Sequence, residues 1–228
     1  MKTLAPALII AALTSSSAWA QLPPLIVSSQ PYMPLTAGTR VTGLNGDDQG
    51  VLVPLGFTFP YLGQTYTHVM LTTNGVIVPG NVGTTVCNFG CLSNYTFPST
   101  STSTTNPVLA AWWDDLNLSS GGEVRTLSSP GQFTVEYSNV PRYSSSGSFV
   151  TVQIKLSASG AVFFHYDSLT TGTGTAWTAS AGFGNHLGTL GANLLTGCTT
   201  SCNATARSLR SSLARLYTSS SGSDTRGT

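Results

Sequence analysis

The chain has 228 residues, 40% of them hydrophobic and only 7% charged, with nine Lys/Arg against eight Asp/Glu. That balance offers no basic footprint for nucleic acid or anionic lipid, and so few charges give little repulsion between copies. The length suits one domain with a substantial core.

Residues 1–20 read as an export signal. Met1-Lys2 is a positive start, Leu4 to Leu13 an apolar core, and Ala18-Trp19-Ala20 a small-residue cleavage site before Gln21. No run in the chain reaches the roughly 18 apolar residues of a spanning helix, so no membrane span is expected. The mature protein is therefore expected to be secreted, or held at a cell surface by contacts. Gln21–Ala37 is rich in Pro and, with the C-terminal tail, is the segment most free to be exchanged between copies.

Beyond it, turn signals recur roughly every eight to twelve residues between short apolar or alternating runs, the spacing of a sandwich or barrel. Val51 to Phe59 is a predicted strand. Tyr66–Leu71 and Val76–Val78 flank Asn74-Gly75, a strong hairpin signal because both residues tolerate positive φ. Val108–Trp113 is apolar and runs into Asp114-Asp115. Phe133–Tyr137 alternates. Phe149–Leu156 and Ala161–Tyr166 form a hairpin about Ser159-Gly160, and Ala176–Phe183 is a further strand. Ser99–Thr105 is a Ser/Thr loop. Leu209, Leu213 and Leu216 have helical spacing, but an all-β fold must pair its edges, which favours a final strand over Leu213–Thr218. The expectation is an all-β antiparallel β-sandwich with short loops over residues 21–218, with one short C-terminal helix as the alternative to the last strand. Residues 219–228 read as a disordered tail by composition.

Four cysteines form two C-x-x-x-C pairs, Cys87 with Cys91 and Cys198 with Cys202. In an exported chain an even count reads as disulfides. Three connectivities are open, and two local bridges that stiffen loops are favoured. A zinc site built from all four thiolates is the rival, although C-x2-C spacing is more usual for it.

Four motifs in order carry a resemblance. GFTFPYLGQTYTHVMLTTNGVIV (Gly56–Val78), the apolar run into Trp112-Trp113-Asp114-Asp115, the strand–Gly–aromatic-strand unit ending in Tyr166, and Gly182-Phe183-Gly184 resemble the nidogen-like extracellular domain and its bacterial secreted relatives. The resemblance implies an extracellular β-sandwich used in matrix, adhesion or surface structures, and it implies no catalysis. The two C-x-x-x-C loops depart from it.

Candidate chemistry is sparse. Asp47-Asp48 and Asp114-Asp115 are half of all the acidic residues; hard oxygen ligands from loops at one end of a sandwich suit Ca²⁺, while turn and cap hydrogen bonding is the plainer use of such residues. His68, His165 and His186 read as ordinary strand or surface histidines. No Gly-x-Ser-x-Gly elbow accompanies them, and neither Glu123 nor Glu136 is marked as buried, so a secreted hydrolase is the weakest reading. Trp112, Trp113 and Trp177, with Tyr61, Tyr66, Tyr95, Tyr137 and Tyr143, are candidate sugar-stacking faces, against the plainer reading that they fill the core. Strand alternation puts one of Trp112 and Trp113 in the core and the other outside. Asn94, Asn117 and Asn203 fit the glycosylation acceptor pattern. The leading expectation is a non-enzymatic structural or adhesive module whose partner is itself or an extracellular surface polymer or protein. A carbohydrate-binding module, calcium-assisted, is the alternative.

Overall fold

The computed structural model describes residues 25–28, 32–84, 94–99, 106–170, 172, 177–194 and 213–217, the first and last of these as strand backbone. The export signal, Asn203 and the 219–228 tail lie outside the described residues. So do all four cysteines, Cys87, Cys91, Cys198 and Cys202, and with them the two expected local bridges and the rival zinc site.

The described residues form strands and one 3-10 turn, Leu118–Ser120, with no α-helix. In chain order the strands are β1 Leu25–Ser28, β2 Thr39–Arg40, β3 Gly50–Tyr61, β4 Gln64–Thr72, β5 Val76–Gly80, β6 Val108–Trp113 and β7 Glu123–Ser129. After these come β8 Gln132–Pro141, β9 Phe149–Ser157, β10 Ala161–Thr170, β11 Ser180–Gly184, β12 Gly191–Asn193 and β13 Leu213–Tyr217. A seven-stranded sheet runs β1-β13-β10-β9-β8-β7-β2 and a six-stranded sheet runs β12-β11-β6-β5-β4-β3. Every pairing is antiparallel. The C-terminal helix is thus not formed over Leu213–Tyr217. β13 instead takes the strand alternative and covers the edge of β10, with Ala161 opposite Tyr217 and His165 opposite Leu213.

The inner faces follow the two-residue period. On β9, Val150, Val152, Ile154 and Leu156 are fully buried, and on β10 Val162 and Phe164 are too. They meet Leu55, Phe59, Val69, Leu71 and Ile77 of the six-stranded sheet in one hydrophobic core. Two tyrosines bolt the sheets together. The Tyr137 hydroxyl donates to the Thr72 carbonyl at 2.9 Å, and the Tyr166 hydroxyl donates to the Ala111 carbonyl at 2.9 Å. Burying a Tyr in a core requires such an acceptor, so these bonds also fix how the sheets face each other.

The Asn74-Gly75 turn joins β4 to β5 as the sequence predicts. Gly75 has φ +73°, and a Cβ there would lie 2.0 Å from the Trp112 carbonyl oxygen. Glycine is thus required twice, for the left-handed backbone and for the close approach to β6.

Candidate metal centre at the loop end

Four connections meet at one end of the sandwich. The loop before β3 pairs with the segment after β6 through the isolated bridge Asp47–Asn117 and a bond from the Leu118 N–H to the Gly46 carbonyl at 3.0 Å. The same segment is tied to the β8–β9 connection by the bridge Leu116–Arg142, and the Tyr143 N–H donates to the Asp115 carbonyl at 2.8 Å. Asn74 supplies the fourth link. It is 1% exposed, accepts from the Leu116 N–H at 2.9 Å and donates to Asp48 Oδ1 at 2.9 Å. The acidic loop itself is closed by Gln49, whose Oε1 accepts from the N–H groups of Asn45 and Gly46, each at 2.8 Å. Asp48 sits at φ +50°, a conformation that Asp tolerates better than most side chains.

The two acids after Trp113 have separate tasks. Asp114 is 2% exposed and does not join the cluster. Its Oδ1 accepts from the Asp115 N–H at 2.9 Å and the Thr178 hydroxyl at 3.1 Å, and its Oδ2 accepts from the Thr178 N–H at 2.9 Å and Arg142 Nε at 3.3 Å. The Arg142 guanidinium also lies over the Trp177 ring, 5.8 Å from its centroid. Asp114 is therefore a structural clamp holding the end of β6, the approach to β11 and the β8–β9 connection. Of the four aspartates considered for one shared ion, Asp114 stands apart from the other three, bonded to Arg142 and Thr178.

Asp115 faces the other way. Its carboxylate and those of Asp47 and Asp48 place one oxygen each within 4.8 Å of one another. Burial, then the charges of Asp47, Asp48 and Asp114, push the Asp115 carboxyl up to about 6 against a smaller opposing pull from Arg142. Burial and then Asp48 raise Asp47 as well. Asp47 Oδ1 is shut off from solvent and has no hydrogen-bond partner among the described residues. Burial, then neighbouring negative charge, disfavours the ionised forms of Asp47 and Asp115, and a hard divalent cation would relieve that cost. Each can offer one or two oxygens, the ligand type that a hard divalent cation takes.

The tryptophans do not form a binding face. Trp112 is 0%, Trp113 2% and Trp177 1% exposed. The two neighbours on β6 do point to opposite sides, but both sides are covered. β6 carries one extra residue between the pairings Ala110–Gly182 and Trp113–Ser180. This bulge turns Trp112 into the main core, edge-on to Trp177 at 5.5 Å between centroids. Trp113 lies in a second, smaller core on the outer face with Val76, Phe97, Val108 and Ala110. The lid of that core is the segment 94–99. Tyr95 meets Trp113 edge-on at 4.6 Å. Asn94 Nδ2 donates to the carbonyls of Trp113 and Thr178, and Asn193 bonds both the N–H and the carbonyl of Phe97, each at 2.8 Å. Among the other candidate aromatics Tyr61, Tyr66 and Tyr137 are buried and Tyr143 is 45% exposed.

The remaining candidates are dispersed. His68 lies on β4 with Nδ1 2.9 Å from Thr67 Oγ1, His165 on β10, and His186 in the β11–β12 turn. Asn117 Oδ1 caps the 3-10 turn through the Ser119 N–H. Glu136, which nothing in the sequence marks, is 4% exposed on the outer side of the seven-stranded sheet. Its Oε2 accepts from the Tyr32 hydroxyl and Gln153 Nε2, both at 2.6 Å, and from the Leu35 N–H at 2.9 Å. The segment 32–35 is thereby strapped across β8 and β9. Burial, then Glu136, raises the Tyr32 phenol well above its ordinary range.

Two packed antiparallel sheets define a β-sandwich module whose cluster of three carboxylates lies at a loop end. The family model described as NIDO related matches residues 25–220, and the chain belongs to that family. No curated protein and no solved structure matches the chain. The family places the domain among extracellular-type modules, which are generally structural and non-enzymatic. No helix among the described residues is long and apolar enough to cross a membrane.

Proposed function

We propose that this protein is a secreted, non-enzymatic structural or adhesive module that acts by binding copies of itself or extracellular surface material. Calcium held by Asp47, Asp48 and Asp115 stiffens its loop end in this reading. After export, Cys87 closes on Cys91 and Cys198 closes on Cys202 as two local disulfides. The observation that carries the reading is the NIDO-related match across nearly the whole sandwich. The export-signal pattern at residues 1–20 and the low charge of the chain support it.

The test is the native mass of the purified mature chain by light scattering across concentration, with calcium or with chelator, beside pull-down on cell-surface material. Growth of mass or retention on the surface material supports the reading. A monomer at every concentration that binds no such material overturns it. The calcium part stands apart: calcium should raise Tm in the wild type and not in Asp115→Asn, and an unchanged wild-type Tm removes the ion from the account. The disulfide part is read by thiol titration of the denatured, unreduced chain, where any free thiol at Cys87, Cys91, Cys198 or Cys202 counts against it.

A further inference from the structure

A sheet that ends in an unpaired strand presents a row of main-chain donors and acceptors, and proteins usually blunt such edges. This sandwich has four edges among the described residues: β1 and β2 on the seven-stranded sheet, β12 and β3 on the six-stranded sheet. Three are blunted. β2 is two residues long and ends in Arg40, 4.0 Å from Glu123. β12 has three residues, and its Asn193 side chain is bonded to the main chain of Phe97, which lies alongside. β3 carries Pro54 and Pro60, and its ladder with β4 is irregular between Pro54 and Phe59. Proline cannot donate, and a bulge bends an edge away from incoming strands.

β1 has none of these devices. Its residues are Leu25-Ile26-Val27-Ser28, with no charge, proline or glycine. One edge pairs with β13, Leu25 opposite Leu216 through Ser28 opposite Leu213. Among the described residues nothing pairs with the other edge. We propose that the open edge of β1 is the self-association surface and that it pairs antiparallel with β1 of a second copy. This rests on the self-association reading above and names the strand that performs it.

The pairing joins two seven-stranded sheets into one continuous sheet across a two-fold axis. Because the same strand is used on both copies, the contact closes as a dimer and does not propagate as a fibre. Neighbouring pairs in an antiparallel ladder alternate between hydrogen-bonded and non-bonded types. A two-fold axis therefore has to pass through a residue facing its own copy, and within β1 that residue is Ile26 or Val27. Within the four residues of β1 either axis pairs only about three residues of each copy, so the dimer belongs with small, transient interfaces. It assembles at high concentration, as at a crowded cell surface, and separates on dilution. The near balance of charge, nine basic against eight acidic residues, leaves no net repulsion to oppose it.

Two measurements decide it. Hydrogen exchange of the peptide spanning Leu25–Ser28 should slow as wild-type concentration rises, in step with a doubling of mass. Successive N–H groups in a strand point to opposite edges, so of Ile26→Pro and Val27→Pro one removes a bond to β13 and the other an outward donor. The variant that keeps the wild-type Tm should remain monomeric where the wild type dimerises. If mass rises while exchange at Leu25–Ser28 is unchanged, or if the Tm-neutral proline variant still dimerises, the β1 proposal is overturned and self-association through another surface survives. If the wild type stays monomeric and Leu25–Ser28 is protected only when surface material is added, the second copy is replaced by a foreign strand.

Discussion

Replacing Asp114 with Ala tests whether the first acid of the pair is structural. The carboxylate is 2% exposed and accepts four hydrogen bonds, two from main-chain N–H groups and one from Arg142, whose side chain is only 10% exposed. The substitution strips the Thr178 and Asp115 N–H groups of this acceptor and takes the countercharge from a buried guanidinium. Each buried donor left unsatisfied costs about 1–3 kcal/mol, and breaking a buried ion pair from one side costs about 3–5 kcal/mol. These overlap, so the expected loss is about 4 kcal/mol, or roughly 10 °C in Tm for a domain of this size. Urea unfolding followed by tryptophan fluorescence reads it directly, since Trp177 lies beneath Arg142. A double-mutant cycle with Arg142→Met should recover part of the loss, because the double variant no longer buries the charge. The loss should change little with salt, unlike that of an exposed pair. A loss below about 1 kcal/mol, or one that salt abolishes, would refute the clamp.

Glu136→Ala should release the segment 32–35 from the outer face of the seven-stranded sheet. Exchange at Met33 and Leu35 should accelerate and stability fall by about 2–3 kcal/mol, while Glu136→Gln, which keeps an acceptor, loses less; unchanged exchange would mean the strap is held by something else. Two half-buried groups should give pH dependences of opposite sign. Burial, then Lys155, lowers His165 from 6.5 to about 4, so between those values the unfolded chain holds a proton that the folded chain lacks, and stability rises with pH. Asp115 is raised from 3.8 to about 6, so over that window the folded chain holds the extra proton, and stability falls with pH. In calcium-free buffer His165→Gln should expose the falling slope and Asp115→Asn the rising one; two variants with the same profile as the wild type would show that neither group is perturbed.

The strands that the sequence reveals are those whose alternation is strong, and the ones it hides fail for definite reasons. β9 reads plainly because four aliphatic residues alternate with polar ones. β7 does not, because of its seven residues only Val124 is buried. β12 is three residues of small and polar type, and β1 is four residues inside a Pro-rich stretch. Alternation also places Trp112 and Trp113 on opposite sides, but it cannot show that a segment 18 residues upstream, at Tyr95, will cover the outer one.

The candidate site shows the same limit more sharply. Composition brings four aspartates to attention and cannot rank them. Asp114 and Asp115 are adjacent and identical, and their separation into clamp and cluster depends on Arg142 and Thr178, 28 and 64 residues away. The countercharge decides it. Arg142 is held against Asp114 and Trp177, and at Asp115 its pull is outweighed by burial and by the charges of Asp47, Asp48 and Asp114. The clamp and the cluster are therefore one device. Arg142→Met weakens the clamp and also removes the one charge that draws Asp115 downward, so it should push that carboxyl higher and make its ionisation more dependent on a bound cation.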